Sequence, residues 1–162
     1  MQAWRRVVVT TPSDWADLAA LLRVYAAHDL DHPQLSTIWK DLDDLPARYG
    51  APQGLALLVR DPLTDTAVAC GALARTREPG TCEIKRIYVS PPHRQQGHAR
   101  RMIQALIESA AQAGYTHAAL STWRSNTQSL ALYAQLGFAP VPPFKEHPNP
   151  DLLYLGLALP RP

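Results

Sequence analysis

"SPPHRQQGHARRMIQALIESAAQAGY", residues 90–115, joins a polar loop to an amphipathic stretch. Ala99, Met102, Ile103, Leu106, Ile107 and Ala110 recur at helical spacing opposite Arg101, Gln104, Glu108 and Gln112, and Gly114 supplies a stop. The spacing predicts a helix over 97–113. A helix N-terminus carries about half a unit of positive charge and unpaired N–H groups, which acidic or capping side chains ordinarily satisfy. Here no Asp or Glu occurs from Ile84 to Ile107. Lys85, Arg86, Arg94, Arg100 and Arg101 crowd the region, and Gly97 brings no acceptor. A phosphate or pyrophosphate would accept the free N–H groups and neutralise the arginines, while Gly97 allows close approach. A solvated basic loop before a glycine-started helix is the alternative. The three spaced glycines of the dinucleotide fingerprint and the Gly-Lys-Ser/Thr end of the P-loop are both missing.

Strand-like runs flank this segment. With "TCEIKRIYV" before it and "THAALST" after it, strand 82–89, helix 97–113 and strand 117–122 form a βαβ unit with parallel strands and a right-handed crossover. Upstream, "GLALLVR", "TAVACGALART" and "TCEIKRIYV" are separated by the turns "DPLTD" and "REPG", which predicts an antiparallel meander. In a regular strand Cys82 and Ile84 point one way while Ile87 and Val89 point the other, so the apolar phase slips near Arg86. A β-bulge or a strand buried on both faces would account for the slip.

"RRVVVT" is a first strand. Thr11 caps and Pro12 opens a helix carrying Trp15, Leu18, Ala19, Leu22 and Tyr25 at helical spacing. Leu35, Ile38, Trp39, Leu42 and Leu45 predict a second helix, which "LPARYGAPQG" ends. "NTQSLALYAQLGF" is another helix, opened by Asn126 and closed by Gly137, and the Pro-rich "APVPPFKEHPNP" leads to a last strand, "LLYLGLAL". The class is α/β (α+β) with a mixed sheet.

The 162 residues suit one domain, 1–162, able to bury roughly two thirds of its unfolded surface. Hydrophobic residues at 46% and charged ones at 19% are an ordinary globular balance, and the net charge of +2 is well short of that of a dedicated nucleic-acid binder. With no signal-like start and no membrane-length apolar run, the chain reads as cytoplasmic. Cys70 and Cys82 are too few for a disulfide framework and lack metal-ligand spacing, so they read as small buried apolar residues.

"YVSPPHRQQGHARRM" resembles the signature of the GCN5-related N-acetyltransferases (GNAT), with Arg94-x-x-Gly97-x-Ala99 in the place of their R/Q-x-x-G-x-G/A loop. "NTQSLALYAQLGF" is similar to that family's N-x-x-[AS]-x-x-x-Y-x-x-x-G-F segment, and "CEIKRIYV" with "LGF" resembles its small bacterial members. The resemblance spans about Cys82 to Phe138. It implies a mixed, mostly antiparallel central sheet with flanking helices and one parallel βαβ unit. It implies acetyl-CoA as cofactor, with the pyrophosphate held by Arg94, Gln95, Gln96, Gly97, His98, Ala99 and Arg100. The main chain of Ile87, Tyr88 and Val89 would meet the acetyl and pantetheine arm, and Asn126 and Tyr133 would also touch the cofactor. The chain departs from the family pattern in two places. His98 stands where relatives carry a small or aliphatic residue, and Trp123 and Arg124 stand where relatives often have smaller or acidic ones.

Acetyl transfer to an amine needs a neutral amine, a donor for the developing oxyanion and a proton for the departing thiolate. A lysine-like amine has a pKa of about 10.4, so a general base could contribute about 10²–10⁴-fold. The resemblance implies that base at Glu83, although an exposed strand residue paired with Lys85 or Arg86 would read the same. A bulge near Arg86 would free a backbone N–H for the thioester oxygen. Tyr133 is the implied proton donor, or else it packs beside Leu130 and Leu136; Asn126 also serves as a plain N-cap. In "HDLDH" His28 and His32 are four apart, but the glutamate of the zinc-protease pattern is absent and Pro33 ends the helix, so no metal is assigned. Asp29 and Asp31 form a solvated acidic turn or, as the resemblance implies for the connection between the first two helices, attract a cationic amine, and by resemblance of position His147 with its neighbouring prolines would form another wall of the acceptor cleft. The expected partner is a small-molecule or peptide amine, with no nucleic acid and no membrane, and an exposed last strand could pair two copies. A non-catalytic acyl-CoA sensor on the same fold is the rival function.

Overall fold

The computed structural model describes residues 3–147 and 149–161. The chain runs β1 (Arg5–Val8), α1 (Pro12–His28), α2 (Ile38–Asp43), α3 (Leu45–Tyr49), β2 (Gly54–Arg60), β3 (Ala67–Arg75), β4 (Thr81–Val89), α4 (His98–Gln112), β5 (His117–Trp123), α5 (Thr127–Gln135), β6 (Ala139–Pro140) and β7 (Leu152–Ala158). The strands form one sheet ordered β1-β2-β3-β4-β5-β7-β6, antiparallel except for the pair β4–β5. The meander and the βαβ unit are where the sequence places them.

Local chemistry sets the element ends. The Thr11 hydroxyl accepts from the Asp14 N–H at 3.1 Å, and the Asp14 carboxylate accepts from the Thr11 N–H in return, a reciprocal cap for α1. Gly114 and Gly137, with φ of 93° and 96°, take the left-handed turns that stop α4 and α5. The helix expected over Leu35–Leu45 is shorter: Leu35 closes a 3-10 turn at Pro33–Leu35, α2 covers only Ile38–Asp43, and "LPARY", expected to end the helix, forms α3. Asp44, extended at φ −157°, ends α2, and its carboxylate accepts the Ala47 N–H at 3.1 Å to cap α3. Pro46 has no N–H to give and its ring would strike a carbonyl one turn back, so α2 cannot continue through it.

Two apolar cores lie on opposite faces of the sheet. Leu57, Leu73, Ile84 and Leu120 pack with Met102, Ile103 and Leu106 of α4 on one face, while Leu58, Cys70 and Tyr88 pack with Leu18, Leu22, Ile38 and Tyr49 on the other. A fully buried leucine contributes roughly 1.5–3 kcal/mol, so these layers dominate the favourable side of folding. Cys70 and Cys82 are free thiols sealed in the two cores, as small apolar residues would be.

β4 separates these layers and is itself divided. Thr81–Glu83 pair with His117–Ala119 of β5, and Cys82 and Glu83 also pair with β3, but from Lys85 to Val89 only β3 is a partner. A cleft opens there. The predicted irregularity is real: the β3–β4 register shifts between Cys70 and Ala72, and Arg86 takes φ 61°. β4 is also covered on both faces, so both explanations of the phase slip hold. Gly71 faces the bulge, and a Cβ there would lie 2.7 Å from Met102 Cγ and 2.8 Å from Ile87 Cδ1.

One expectation fails at the far edge. β6, inside the Pro-rich stretch, pairs with β7, so β7 lies between β5 and β6 and is not an exposed edge for a second copy. Among the described residues no helix is long and apolar enough to cross a membrane.

Candidate active site

The cleft between the diverging halves of β4 and β5 has a volume of about 800 Å³. Its floor at one end is the start of α4. Gln95 and Gly97 both take positive φ, 62° and 81°, and no side chain caps the helix. The φ of 81° at Gly97 is one that residues with a Cβ rarely adopt, and a Cβ there would displace the end of the Arg101 side chain, 2.7 Å away. Arg94, Gln95, Gly97, His98, Ala99 and Arg100 line the cleft; Gln96 does not, and its carbonyl accepts from Arg101 at 2.7 Å. Arg94 donates to the Val89 carbonyl at 2.9 Å and lies 3.3 Å from Asp29, while Arg100 donates to Gln135.

Lys85 and Arg86 are not part of this anion-facing end. Lys85 shares the face of Glu83 by ordinary alternation, and the left-handed turn at Arg86 puts its side chain on the same side, so that both donate to Thr37 Oγ1, at 3.3 and 2.9 Å. The Arg86 guanidinium also bonds the buried Asp41 carboxylate through two nitrogens, both at 2.8 Å, and the Tyr49 hydroxyl donates to the same carboxylate. A non-glycine residue in the left-handed region costs roughly 1–3 kcal/mol and needs surroundings that hold it. Here the buried pair with Asp41 holds it.

His98, the departure from the family pattern, is a packing residue. It is buried, its ring meets the edge of Trp4 at 4.7 Å between centroids, and its Nε2 has no partner. Burial, with Arg101 nearby, pushes its pKa down, so the loop gains no positive charge from it. Tyr88 likewise sends its ring into the α1-side core, 5.3 Å from Tyr25, leaving only its main chain for the cleft.

Glu83 is not exposed. It is 6% accessible, accepts from Lys145 Nζ at 2.7 Å and lies 4.0 Å from Lys85 Nζ. Tyr133 projects from α5 into the same cleft, its ring edge-on to Phe138 at 5.8 Å. Burial, with Tyr25 adding to it, pushes its phenol up to about 12. Asn126 precedes α5 and lines the cleft, but its side chain makes no capping bond, so capping does not explain it.

The other wall is aromatic. Trp123 at the end of β5 lies 4.3 Å from the His32 ring and 5.5 Å from the His147 ring, which makes His32 a wall residue. His147 lines the cleft as expected; of the prolines beside it, Pro148 lies outside the described residues. Asp29 and Asp31 line the cleft too, with Asp29 tied to Arg94. Lys145 and Asp41 were not visible in the sequence as site residues. Lys145 stands 62 positions from Glu83 in a Pro-rich loop with no periodic pattern, and Asp41 sits 45 positions from Arg86. A second large hollow, beside β1 and α1, is lined by Arg60, Asp14 and Asp17, whose charges are already paired with one another.

The sheet thus parts beside a bulge, and an uncapped, glycine-led helix stands at the mouth of the gap. The acetyltransferase (GNAT) family model matches residues 16–138, and the chain belongs to that family. A Schizosaccharomyces pombe protein described as an uncharacterized N-acetyltransferase is 29% identical over 155 residues, covering 93% of this chain and 92% of its own. As that relative is fungal, the small bacterial subgroup is not singled out. A GNAT acetyltransferase of Staphylococcus aureus shares the fold at TM-score 0.77 and 14% identity, over 98% of this chain and 100% of the other. A Salmonella typhimurium protein solved with its cofactor acetyl-CoA does so at TM-score 0.76 and 18% identity, over 99% and 96%.

Proposed function

We propose that this chain is an acetyl-CoA-dependent N-acetyltransferase that moves an acetyl group to a primary amine by direct attack within a ternary complex. One observation carries the reading: a buried carboxylate, Glu83, and a buried phenol, Tyr133, line one cleft that ends at the bare N-terminus of α4.

The residues present suit a diphosphate. The first N–H groups of α4 lack a side-chain acceptor, Gly97 gives room for close approach, and Arg94 and Arg100 stand beside them. Acetyl-CoA, when bound there, supplies the activated acetyl thioester. Ile87, beside the bulge, offers main-chain groups on the side of β4 that β5 leaves unpaired, where an N–H can stabilise charge on the carbonyl oxygen. Glu83 takes the proton that the acceptor ammonium must lose before its lone pair can attack. Lys145 holds that carboxylate in the meantime.

Tyr133 keeps its proton at neutral pH. With the phenol at about 12 and an ordinary thiol near 8.5, full proton transfer to the departing thiolate is uphill by about 5 kcal/mol, so Tyr133 serves by donating a hydrogen bond. The test is release of coenzyme A from acetyl-CoA across a broad amine panel, read by a thiol reagent. Amine-dependent release is expected. Saturable acetyl-CoA binding with no release for any amine would turn the chain into the non-catalytic sensor.

A further inference from the structure

Glu83 faces two ammonium groups, Lys145 Nζ at 2.7 Å and Lys85 Nζ at 4.0 Å. One carboxylate against two cations leaves one positive charge in excess where the acceptor must arrive. Arg86 does not change this balance, because its charge is matched by Asp41, which also has Arg48 at 3.7 Å. Asp29 is matched by Arg94, and Asp31 and Glu146, which also line the cleft, sit exposed and form no salt bridge with either lysine. Lys85 cannot swing out to water, since its side chain is only 9% accessible. Burial pushes it down to about 8, yet at neutral pH it still carries its proton.

An amine that displaces Lys145 from Glu83 therefore leaves two cations without an anion. A diamine or polyamine makes this worse. An amine that carries its own carboxylate resolves it, because the nitrogen replaces Lys145 at Glu83 while the acid becomes the new partner of the displaced lysine and of Lys85. Beside this cluster stands an aromatic wall on the same cleft, Trp123 with the His32 ring tilted against it by 45° and the His147 ring edge-on at 78°. His147 is two residues from Lys145 in one segment, so the wall and the cation arrive together.

We propose that the acceptor is an amino acid with a planar side chain, its nitrogen at Glu83, its carboxylate between Lys145 and Lys85, and its ring against Trp123. The identity of the acceptor rests on the acetyl-transfer reading, but carboxylate recognition can be measured without turnover. Calorimetry in the presence of coenzyme A would compare phenylalanine, 3-phenylpropionate, phenylalaninamide, phenethylamine and spermidine. Phenylalanine and 3-phenylpropionate are expected to bind at least tenfold tighter than the three compounds without a carboxylate, and Lys145→Met is expected to remove most of that preference. Lys145 is on a partly exposed loop, so this variant is expected to melt with the wild type, whereas Lys85→Met is a second, buried probe of the same effect.

Equal or tighter binding of phenethylamine or spermidine would overturn the proposal, as would a carboxylate preference untouched by both lysine substitutions. If amines are acetylated but 3-phenylpropionate does not bind, the proposal fails and the acetyltransferase reading stands. If the acids bind and no amine yields coenzyme A, carboxylate recognition stands and acetyl transfer fails.

Discussion

The two halves of β4 are made of similar material and behave differently. Cys82 and Glu83 are clasped by strands on both sides and follow the two-residue alternation, with Cys82 buried in the α4-side core. Lys85–Val89 have one neighbour strand, a left-handed residue and a pair of cations turned to one face. The first half is what an interior strand becomes when backbone pairing is complete. The second gives up pairing along one side, and in exchange main-chain groups and polar side chains face a cleft. Glu83 stands at the junction, held by strand pairing and lining the cleft.

The largest expected effect comes from breaking that junction. Glu83→Gln keeps the shape and the pairing but removes the proposed base, so the turnover number should fall by about 10²–10⁴-fold while calorimetry shows unchanged coenzyme A binding. Loss of binding together with turnover would make Glu83 a structural residue. Arg86→Met breaks the second half alone. It leaves the buried Asp41 carboxylate short of its main partner, for which removal typically costs about 3–5 kcal/mol. The low end, about 3 kcal/mol in a urea titration, is expected here because Tyr49 and Arg48 remain beside Asp41.

Lys85→Met sharpens the contrast through pH. Burial pushes Lys85 from an ordinary value of 10.5 down to about 8, so between those values the unfolded chain binds the proton that the folded chain has lost. The penalty on folding is therefore full below about pH 8 and gone above about pH 10.5. The variant should be more stable than wild type at pH 7, by at most about 3 kcal/mol, with the gap closing as pH rises through that window. A gap independent of pH would mean that Lys85 is not charged against its surroundings. The smallest effect belongs outside β4: Tyr133→Phe should lower turnover by roughly tenfold, the worth of a single hydrogen bond, and leave coenzyme A affinity alone.

Legibility in the sequence follows the same division. The meander, the βαβ unit and the caps at Thr11, Gly114 and Gly137 are local, each fixed by residues within a few positions, and each is found where its pattern lies. The bulge also shows, as a slip in the apolar phase at Arg86. What the bulge does to the side chains does not show. Five basic residues close in sequence read as one anion-binding group, but Lys85 follows Glu83's face and the left-handed Arg86 joins it there, both reaching Thr37, and only coordinates reveal that turn. Pro46 is a local signal that divides a helix whose apolar spacing alone reads as continuous. Lys145 and Asp41 reach the site across 62 and 45 positions, and no spacing rule connects them to it. The α4 end was legible for the opposite reason, since what marks it is a missing acid.

Cys70 and Cys82 lie in different layers, one beneath α1 and one beneath α4, with burial pushing their thiols up to about 12 and about 11. Neither forms enough thiolate at neutral pH to react while the layer above it stays closed. Each sulfur is thus a built-in clock: the rate at which an alkylating reagent marks it reports how often its own layer lifts, so one labelling experiment can tell whether the two sides of the sheet come apart together or in turn.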